Sequence, residues 1–350
     1  LRRVPDVLPL SVWLVTAIEA CDKFAFFGLA GPLQNYLQNP RDDPLRPGAI
    51  GLGQAYATAA NQAFTLWCFV TPILGAIVAD QRLGRLRTIL YASSFYLVGL
   101  LVVFITSFPA FDCHVTALGL LVGMLLIGIG TGGIRPNVNS LVAEQYTVTN
   151  PFRRTLESGE SVIVDPKLTV QRIFLTFLFC VNAGSLSAVA TTSMEHKYGF
   201  SAAFALPTIA FAVGLCIVRF TKNVYQVSPP RGSVIIQAAR VLWIAFRNHW
   251  DFESAKGQSQ SGSVDALERH VEWDDDFVDE VHQAARASQL FVYFPFFWTA
   301  YSQMLTNFVS QAGTMETHGI PNDILTMINP LFIMAFIPIL DRIVFPWLRK

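Results

Sequence analysis

The sequence predicts an all-α, multi-pass membrane protein, and three observations carry that reading. Hydrophobic residues make up 52% of the 350 and charged residues only 14%, whereas a soluble domain carries about a quarter charged residues. Apolar windows of roughly 20 residues, long enough to cross a hydrocarbon core, recur along the chain, and the mean hydropathy is +0.42. Lysine and arginine gather in alternate connections between those windows.

Eight spans are expected, at about 8–37, 50–79, 87–108, 115–143, 171–193, 200–220, 288–311 and 324–347. The first is the most informative, because Glu19, Asp22 and Lys23 sit in its middle. Each unpaired charge there costs about 2.5–3.5 kcal/mol on the insertion scale, so three together nearly cancel membrane entry. Such charges must be paired, wetted or used. Positions 19, 22, 23, 26 and 27 follow helical spacing, so one face carries Glu19, Asp22, Lys23, Phe26 and Phe27. Glu19 and Lys23 stand one turn apart with the acid first, the favourable order for an ion pair. That face reads as an acid–base cluster beneath an aromatic platform, lining something polar.

The second span ends in GAIVADQRLGRLRT (75–88). There Gly84 permits a tight turn, and Arg85 and Arg87 can pair with Asp80 or cap helix carbonyls. The fourth span holds GIGTGG (128–133), which formally satisfies GxGxxG. A dinucleotide site needs a preceding strand, and the preceding VTALGLLVGMLLI is a membrane helix, so the glycines read as close-packing positions. Arg135 and Pro136 follow at once. Arg135 is either a snorkelling cation at the end of its span or a fixed cation facing the cavity of the first helix, and sequence physics leaves both open.

Orientation follows from the cations. Arg2 and Arg3; Arg82, Arg85 and Arg87; Arg153, Arg154, Lys167 and Arg172; and Arg349 and Lys350 fall on one side, against Arg41, Arg46 and Lys197 on the other. A cytoplasmic N-terminus is expected, in a multi-pass protein of the plasma membrane. Residues 221–287 read as a cytoplasmic linker, with an amphipathic helix over SVIIQAARVLWIAF (233–246), a Ser/Gly/Gln-rich patch and an acidic run, VEWDDDFVDEV (271–281), taken as a solvated face. The organisation expected is a six-helix bundle over 1–220, the linker over 221–287, and two helices opening a second bundle over 288–350.

A formal net charge of zero argues against nucleic acid as a partner. The five cysteines are scattered without CxxC spacing; Cys21, Cys68, Cys180 and Cys216 read as small core residues, and Cys113 lies in a loop. No arranged nucleophile–base pair or metal cluster is present, so an enzyme is not expected, nor a metal or organic cofactor. The chain begins without methionine and stops just after an apolar span, and both ends read as cuts.

Several segments together resemble the proton-coupled oligopeptide transporter family, also called the peptide transporter family, of the major facilitator superfamily. IEACDKFAFFG (18–28) resembles its ExxERFxYYG segment, and GTGGIRPNVNSLVAEQY (130–146) is similar to its GTGGIKxNVS segment. FLFCVNAGSL (177–186) matches a fifth-helix N-A-G, and FPFFWTAYSQMLTNFVSQAGTMETHGIPND (294–323) resembles a fungal form of the seventh helix and its loop. The resemblance implies a twelve-helix major facilitator fold, with about eight helices present here, and proton-driven uptake of di- and tripeptides by alternating access. The proton is then the coupling ion, small peptides and the bilayer are the partners, and oligomeric state is left undefined.

By the same resemblance Glu19, Asp22 and Lys23 form the proton-coupling group, with Lys23 replacing an arginine. Phe26 and Phe27 replace a tyrosine pair, Tyr36 matches a pocket tyrosine, and Gln62 stands where animal members carry a histidine. Arg135 occupies a lysine position, Asn182 matches the fifth-helix asparagine, Trp298 and Gln303 match on the seventh helix, and Asn329 on the eighth. Ser302 sits where many members have an acid. Asp80, Gly84 and Arg85 resemble the gating D-R-x-G-R loop, with one extra residue between Asp80 and Gly84. Arginine at 135 cannot release a proton near neutrality, so coupling falls on Glu19 and Asp22, which resist being ionised together. The alternative reading keeps the fold and makes the chain a non-transporting peptide sensor.

Overall fold

The computed structural model describes residues 1–42, 48–155, 159–227, 234–256, 273–302 and 328–345. The chain divides into two compact units, Leu1–Pro230 with Gly319–Lys350, and Arg231–His318. The first unit holds α1 (Leu10–Gln38), α2 (Gly53–Val78), α3 (Arg85–Thr106), α4 (Cys113–Glu144), α5 (Pro166–Ser185), α6 (Ser187–Tyr198) and α7 (Phe200–Phe220). The second holds α8 (Val234–Arg247), α9 (Glu253–Lys256), α10 (Asp275–Ser288) and α11 (Phe294–Ser302), after which the chain returns to the first unit as α12 (Ile328–Ile339).

Among the described residues five segments are long and apolar enough to cross a membrane: Gly53–Leu83, Arg85–Thr106, Cys113–Glu144, Pro166–Tyr198 and Phe200–Phe220. The charged α1, at 29 residues, spans about 44 Å by helical rise. Helices thus stand where the first six spans were expected, with one interruption. The fifth is broken at Leu186 into α5 and α6. There Ser185 Oγ donates to the Asn182 carbonyl at 2.7 Å, and Ser187 Oγ donates across to the Phe24 carbonyl of α1 at 2.7 Å. Hydroxyls in the helix compete for carbonyls and loosen its register.

The last two spans differ from expectation. The segment expected as one helix from 288 begins as a 3-10 turn, Gln289–Tyr293, and α11 starts only at Phe294. Pro295 lacks an N–H, so it fits the first turn of a helix but not its interior. In the eighth, α12 passes at Leu340 into a π turn over Leu340–Val344.

Helix α1 is the centre of the first unit and packs against α7, α5 and α6, with further contacts to α2 and α4. The glycines of α4 behave as the sequence suggested. A Cβ on Gly132 would lie 2.6 Å from Thr71 Cβ, one on Gly75 of α2 would lie 2.1 Å from the Gly132 carbonyl oxygen, and one on Gly130 would lie 2.5 Å from Tyr96 Cβ. The backbones of α2, α3 and α4 meet at a separation that leaves no room for side chains. Thr71 Oγ1 adds a 2.8 Å bond to the Gly128 carbonyl across that seam.

A small sheet joins the N-terminus to the α4–α5 connection, which sequence reading left without strands. Strand β1 (Arg3–Val4) runs parallel to β3 (Ser161–Val164), which pairs antiparallel with β2 (Phe152–Thr155). Ion pairs reinforce it: Arg3 with Asp165 at 3.0 Å, and Arg154 with Asp6 at 2.6 Å. The cysteines are free, and Cys216 is exposed on α7 rather than a core residue, because its face of the helix points outward.

In the second unit α8 lies where an amphipathic helix was expected. Its Val241 and Ala245 pack with Phe252, Ala255, Trp273, Val278 and Val281. The acidic run is more than a solvated face: Asp274 caps α10 by accepting from the Phe277 amide at 3.0 Å, and Val278 and Val281 are buried while Asp275, Asp276, Asp279 and Glu280 face solvent. Asp279, at 2.6 Å, and Glu253, at 2.9 Å, flank Lys256 and hold its ammonium above the usual lysine range.

Candidate functional site

The charged face of α1 is buried. Glu19 is 4% exposed and Asp22 1%, and Lys23 Nζ lies 2.8 Å from Glu19 Oε1 and 3.0 Å from Asp22 Oδ2. The Glu19 contact is the expected one-turn pair. The Asp22 contact joins sequence neighbours, which do not face each other on an ideal helix, and it forms because the lysine stem is long enough to lie between the two acids. Each carboxylate keeps one buried oxygen, Glu19 Oε2 and Asp22 Oδ1, without a hydrogen-bond partner among the described residues.

Arg135 completes the cluster from α4. Its guanidinium stands 4.5 Å from the centroid of the Phe26 ring, within the range of a cation–π contact. Its Nε is buried and has no hydrogen-bond partner among the described residues. The guanidinium therefore sits over Phe26, on the face of α1 that carries the acids, and does not snorkel away from that helix. Phe26 in turn stacks on Phe64 of α2 at 6.1 Å and meets Phe27 edge-on at 5.5 Å, so the aromatic platform expected on α1 rests against α2.

The close approach of α5 frames the other side. A Cβ on Gly184 would lie 2.5 Å from the Ala20 carbonyl oxygen and 3.1 Å from Lys23 Cβ; this glycine, third residue of the Asn-Ala-Gly motif, seats α5 against the charged turn. Asn182, 8% exposed, donates Nδ2 to the Leu178 carbonyl at 2.8 Å. On the α7 side, Gly214 approaches Cys21 in the same way.

The remaining expected residues are dispersed. Tyr36 is fully buried between Phe200 and Phe204 of α7, at ring centroid distances of 4.8 and 5.1 Å, so its ring packs within the bundle. Gln62 is exposed on α2. Asn329 stands exposed in the first turn of α12, a helix that packs on α5. Trp298 lies on α11 in the second unit, edge-on to Phe297 and Tyr301. Ser302 is the last residue of α11, and Gln303 lies outside the described residues.

The loop after α2 absorbs its extra residue in a π turn, Ala79–Leu83, closed by a 2.9 Å bond from the Gly84 amide to the Ala79 carbonyl. One inserted residue is what a π turn accommodates. Gly84 then takes φ +75°, a conformation suited to glycine. Arg85 pairs with Glu144 at the end of α4, not with Asp80, because the turn that houses the insertion places the arginine against the neighbouring helix.

Two buried groups escaped the sequence reading. Tyr96 of α3 is fully buried, stacks on Phe211 at 4.3 Å, and lies within electrostatic reach of Asp22 and Arg135; a tyrosine in an apolar span carries no distinguishing signal. Glu195 of α6 is 2% exposed and accepts from Asn35 Nδ2 at 3.1 Å. It lies two residues past the expected end of its span, and an acid that close to a boundary reads as part of the loop.

The family model described as PTR2, the POT family, matches residues 86–350. The chain is 49% identical over 291 residues to "Peptide transporter imqJ" of Aspergillus flavus, covering 83% of this chain and 57% of that one. It is 43% identical over 351 residues to "Peptide transporter PTR_B" of Candidozyma auris, covering 100% and 59%. The chain spans less than two thirds of the length of these curated relatives. Among solved structures, the crystal structure of the POT family transporter PepTSo matches with a TM-score of 0.69 at 21% identity, over 98% of this chain and 70% of that one. That likeness establishes the all-helical major facilitator fold. With a family model matched over most of its length, the chain belongs to the POT family.

Proposed function

We propose that the full-length protein is a proton-coupled symporter of di- and tripeptides that works by alternating access, in the plasma membrane, with a cytoplasmic N-terminus. One observation carries the reading: two buried carboxylates, Glu19 and Asp22, share Lys23, and Arg135 from another helix lies over Phe26 on the same face of α1. The four formal charges sum to zero, which is what a site removed from water favours. A zwitterionic peptide whose carboxylate docks on Arg135 brings one negative charge into this cluster, while its ammonium stays at the far end of the molecule. A proton taken up on Glu19 or Asp22 restores neutrality, so peptide and proton enter together. Glu19 Oε2 and Asp22 Oδ1, both buried and without a partner among the described residues, are the positions for that proton. The guanidinium of Arg135, whose Nε has no partner among the described residues, supplies a donor for the carboxylate, and Phe26 holds it in place.

In this reading Glu19 is the carrier and Asp22 its electrostatic partner. Within the first unit Asn182, Asn329, Gln62 and Phe27 belong to the binding region, and Asp80, Gly84 and Arg85 to the gate. The test uses the full-length protein in proteoliposomes that enclose a pH-sensitive dye. Adding dipeptide outside should acidify the lumen. Glu19→Gln should abolish gradient-driven accumulation while sparing counterflow exchange of peptide. A Gln variant that still concentrates dipeptide with unaltered pH dependence would place the coupling acid elsewhere.

A further inference from the structure

Where the arginine-bearing ends of α3 and α7 come together, the two helices leave a groove of about 630 Å³. Three cations surround it: Arg87 from the first turn of α3, Arg219 from the last turn of α7, and Lys222 just beyond. Among the described residues no acid lines the groove. None of the three cations is in an ion pair among the described residues. Its walls are apolar or amphipathic, with Leu90 and Tyr91 on one side and Leu215 and Phe220 on the other. Tyr91 is 59% exposed and Phe220 84%, so the groove opens outward from the bundle.

Depth decides what such a groove meets. Helices α3 and α7 have 22 and 21 residues, about 33 and 32 Å of rise against a hydrocarbon core of about 30 Å. Their ends therefore stand in the headgroup layer, and the walls between the cations and mid-membrane lie among acyl chains. A helix C-terminus attracts cations of its own accord, which accounts for Arg219 and Lys222. It does not account for Arg87, at the N-terminal end of α3, where a cation opposes the dipole. Cations converging from two helices over an apolar slot match the phosphate and acyl chain of one molecule. Free phosphate has no use for the slot.

We propose that this groove seats an anionic phospholipid of the adjoining leaflet, its phosphate among Arg87, Arg219 and Lys222 and its acyl chain along Leu90, Tyr91 and Leu215. Cys216 lines the groove and is exposed, so its thiol reports occupancy. The experiment follows alkylation of Cys216 by N-ethylmaleimide in the full-length protein in detergent, resolved by peptide mass spectrometry, with exposed Cys113 as the reference thiol. Phosphatidylglycerol should slow Cys216 alkylation about tenfold or more, while phosphatidylcholine and inorganic phosphate leave it nearly unchanged. The triple change Arg87→Gln, Arg219→Gln, Lys222→Gln should remove the protection. The charge-matched change Lys167→Gln, Arg172→Gln, Lys197→Gln should keep it, which separates a local seat from overall charge. Equal protection by phosphatidylcholine would make the groove an unselective apolar surface, and protection by phosphate alone would make it a free-anion site. A Cys216 that is unreactive without lipid would mean that another part of the chain or a second copy covers it. Each of these three results overturns the proposal.

Discussion

Replacing Lys23 by methionine tests whether the α1 cluster is held by charge balance. Methionine keeps most of the length and volume of the lysine stem, so the perturbation is the loss of the ammonium. The side chains of Glu19 and Asp22 are 5% and 1% exposed, and both lose their partner at once. Breaking a buried pair from one side costs about 3–5 kcal/mol, because an uncompensated charge remains. Arg135 still offsets one of the two carboxylates, so the lower end, about 3 kcal/mol, is expected. At roughly 2 °C per kcal/mol, the value for a cooperative unit of about 250 residues, that is a melting shift of about 6 °C. The assay is thermal unfolding of the purified full-length protein in detergent, read by a thiol-reactive dye as buried Cys68 becomes accessible. Adding Glu19→Gln to Lys23→Met returns the cluster to zero formal charge, and at least half of the lost stability should return with it. A single variant that melts within about 2 °C of the parent, or a double variant that melts no higher than the single, would refute the argument.

Arg135→Ala should weaken dipeptide uptake by about 10- to 150-fold, the equivalent of a charge-assisted hydrogen bond of about 1.5–3 kcal/mol, and Arg135→Lys should retain much of the activity; saturation uptake in a transport-deficient host measures both. Gly75→Val places side-chain atoms where a Cβ alone would lie 2.1 Å from the Gly132 carbonyl oxygen, so the α2–α4 seam cannot close and the yield of monodisperse protein on size-exclusion chromatography should collapse. Gly53→Ala is the comparison, since a Cβ there meets nothing within 4 Å; its φ of +75° costs about 1–2 kcal/mol, so the yield should fall far less. Breaking the Arg85–Glu144 pair by Arg85→Glu should slow peptide exchange, and adding Glu144→Arg should recover it. Exchange rates that stay low in the swapped pair would detach the gate from this contact.

The sequence by itself determined everything that depends on local spacing and solvent. Apolar windows placed the first six spans, since the burial of some 20 consecutive residues needs no partner other than lipid. Helical periodicity put Glu19 and Lys23 on one face, because residues four apart meet on any α-helix. The glycines of 128–133 read as a packing seam for a similar reason: a missing Cβ in lipid has value only as close approach. Tertiary structure decided what lies across the gaps between helices. Arg135 could equally have snorkelled; its place over Phe26 follows from how near α1 and α4 run. Arg85 turned to Glu144 rather than Asp80 because a π turn absorbed one residue, and neither outcome is written in the motif. Tyr36 matched a pocket tyrosine and became a packing residue because Phe200 and Phe204 of α7 enclose it. The β1–β3 pairing joins Arg3 to Ile163, and strands of two to four residues are too short to show a period. Lys23 shows the division most clearly. Its pair with Glu19 is a property of one helix, whereas the burial that makes that pair consequential comes from α5, seated against it through Gly184.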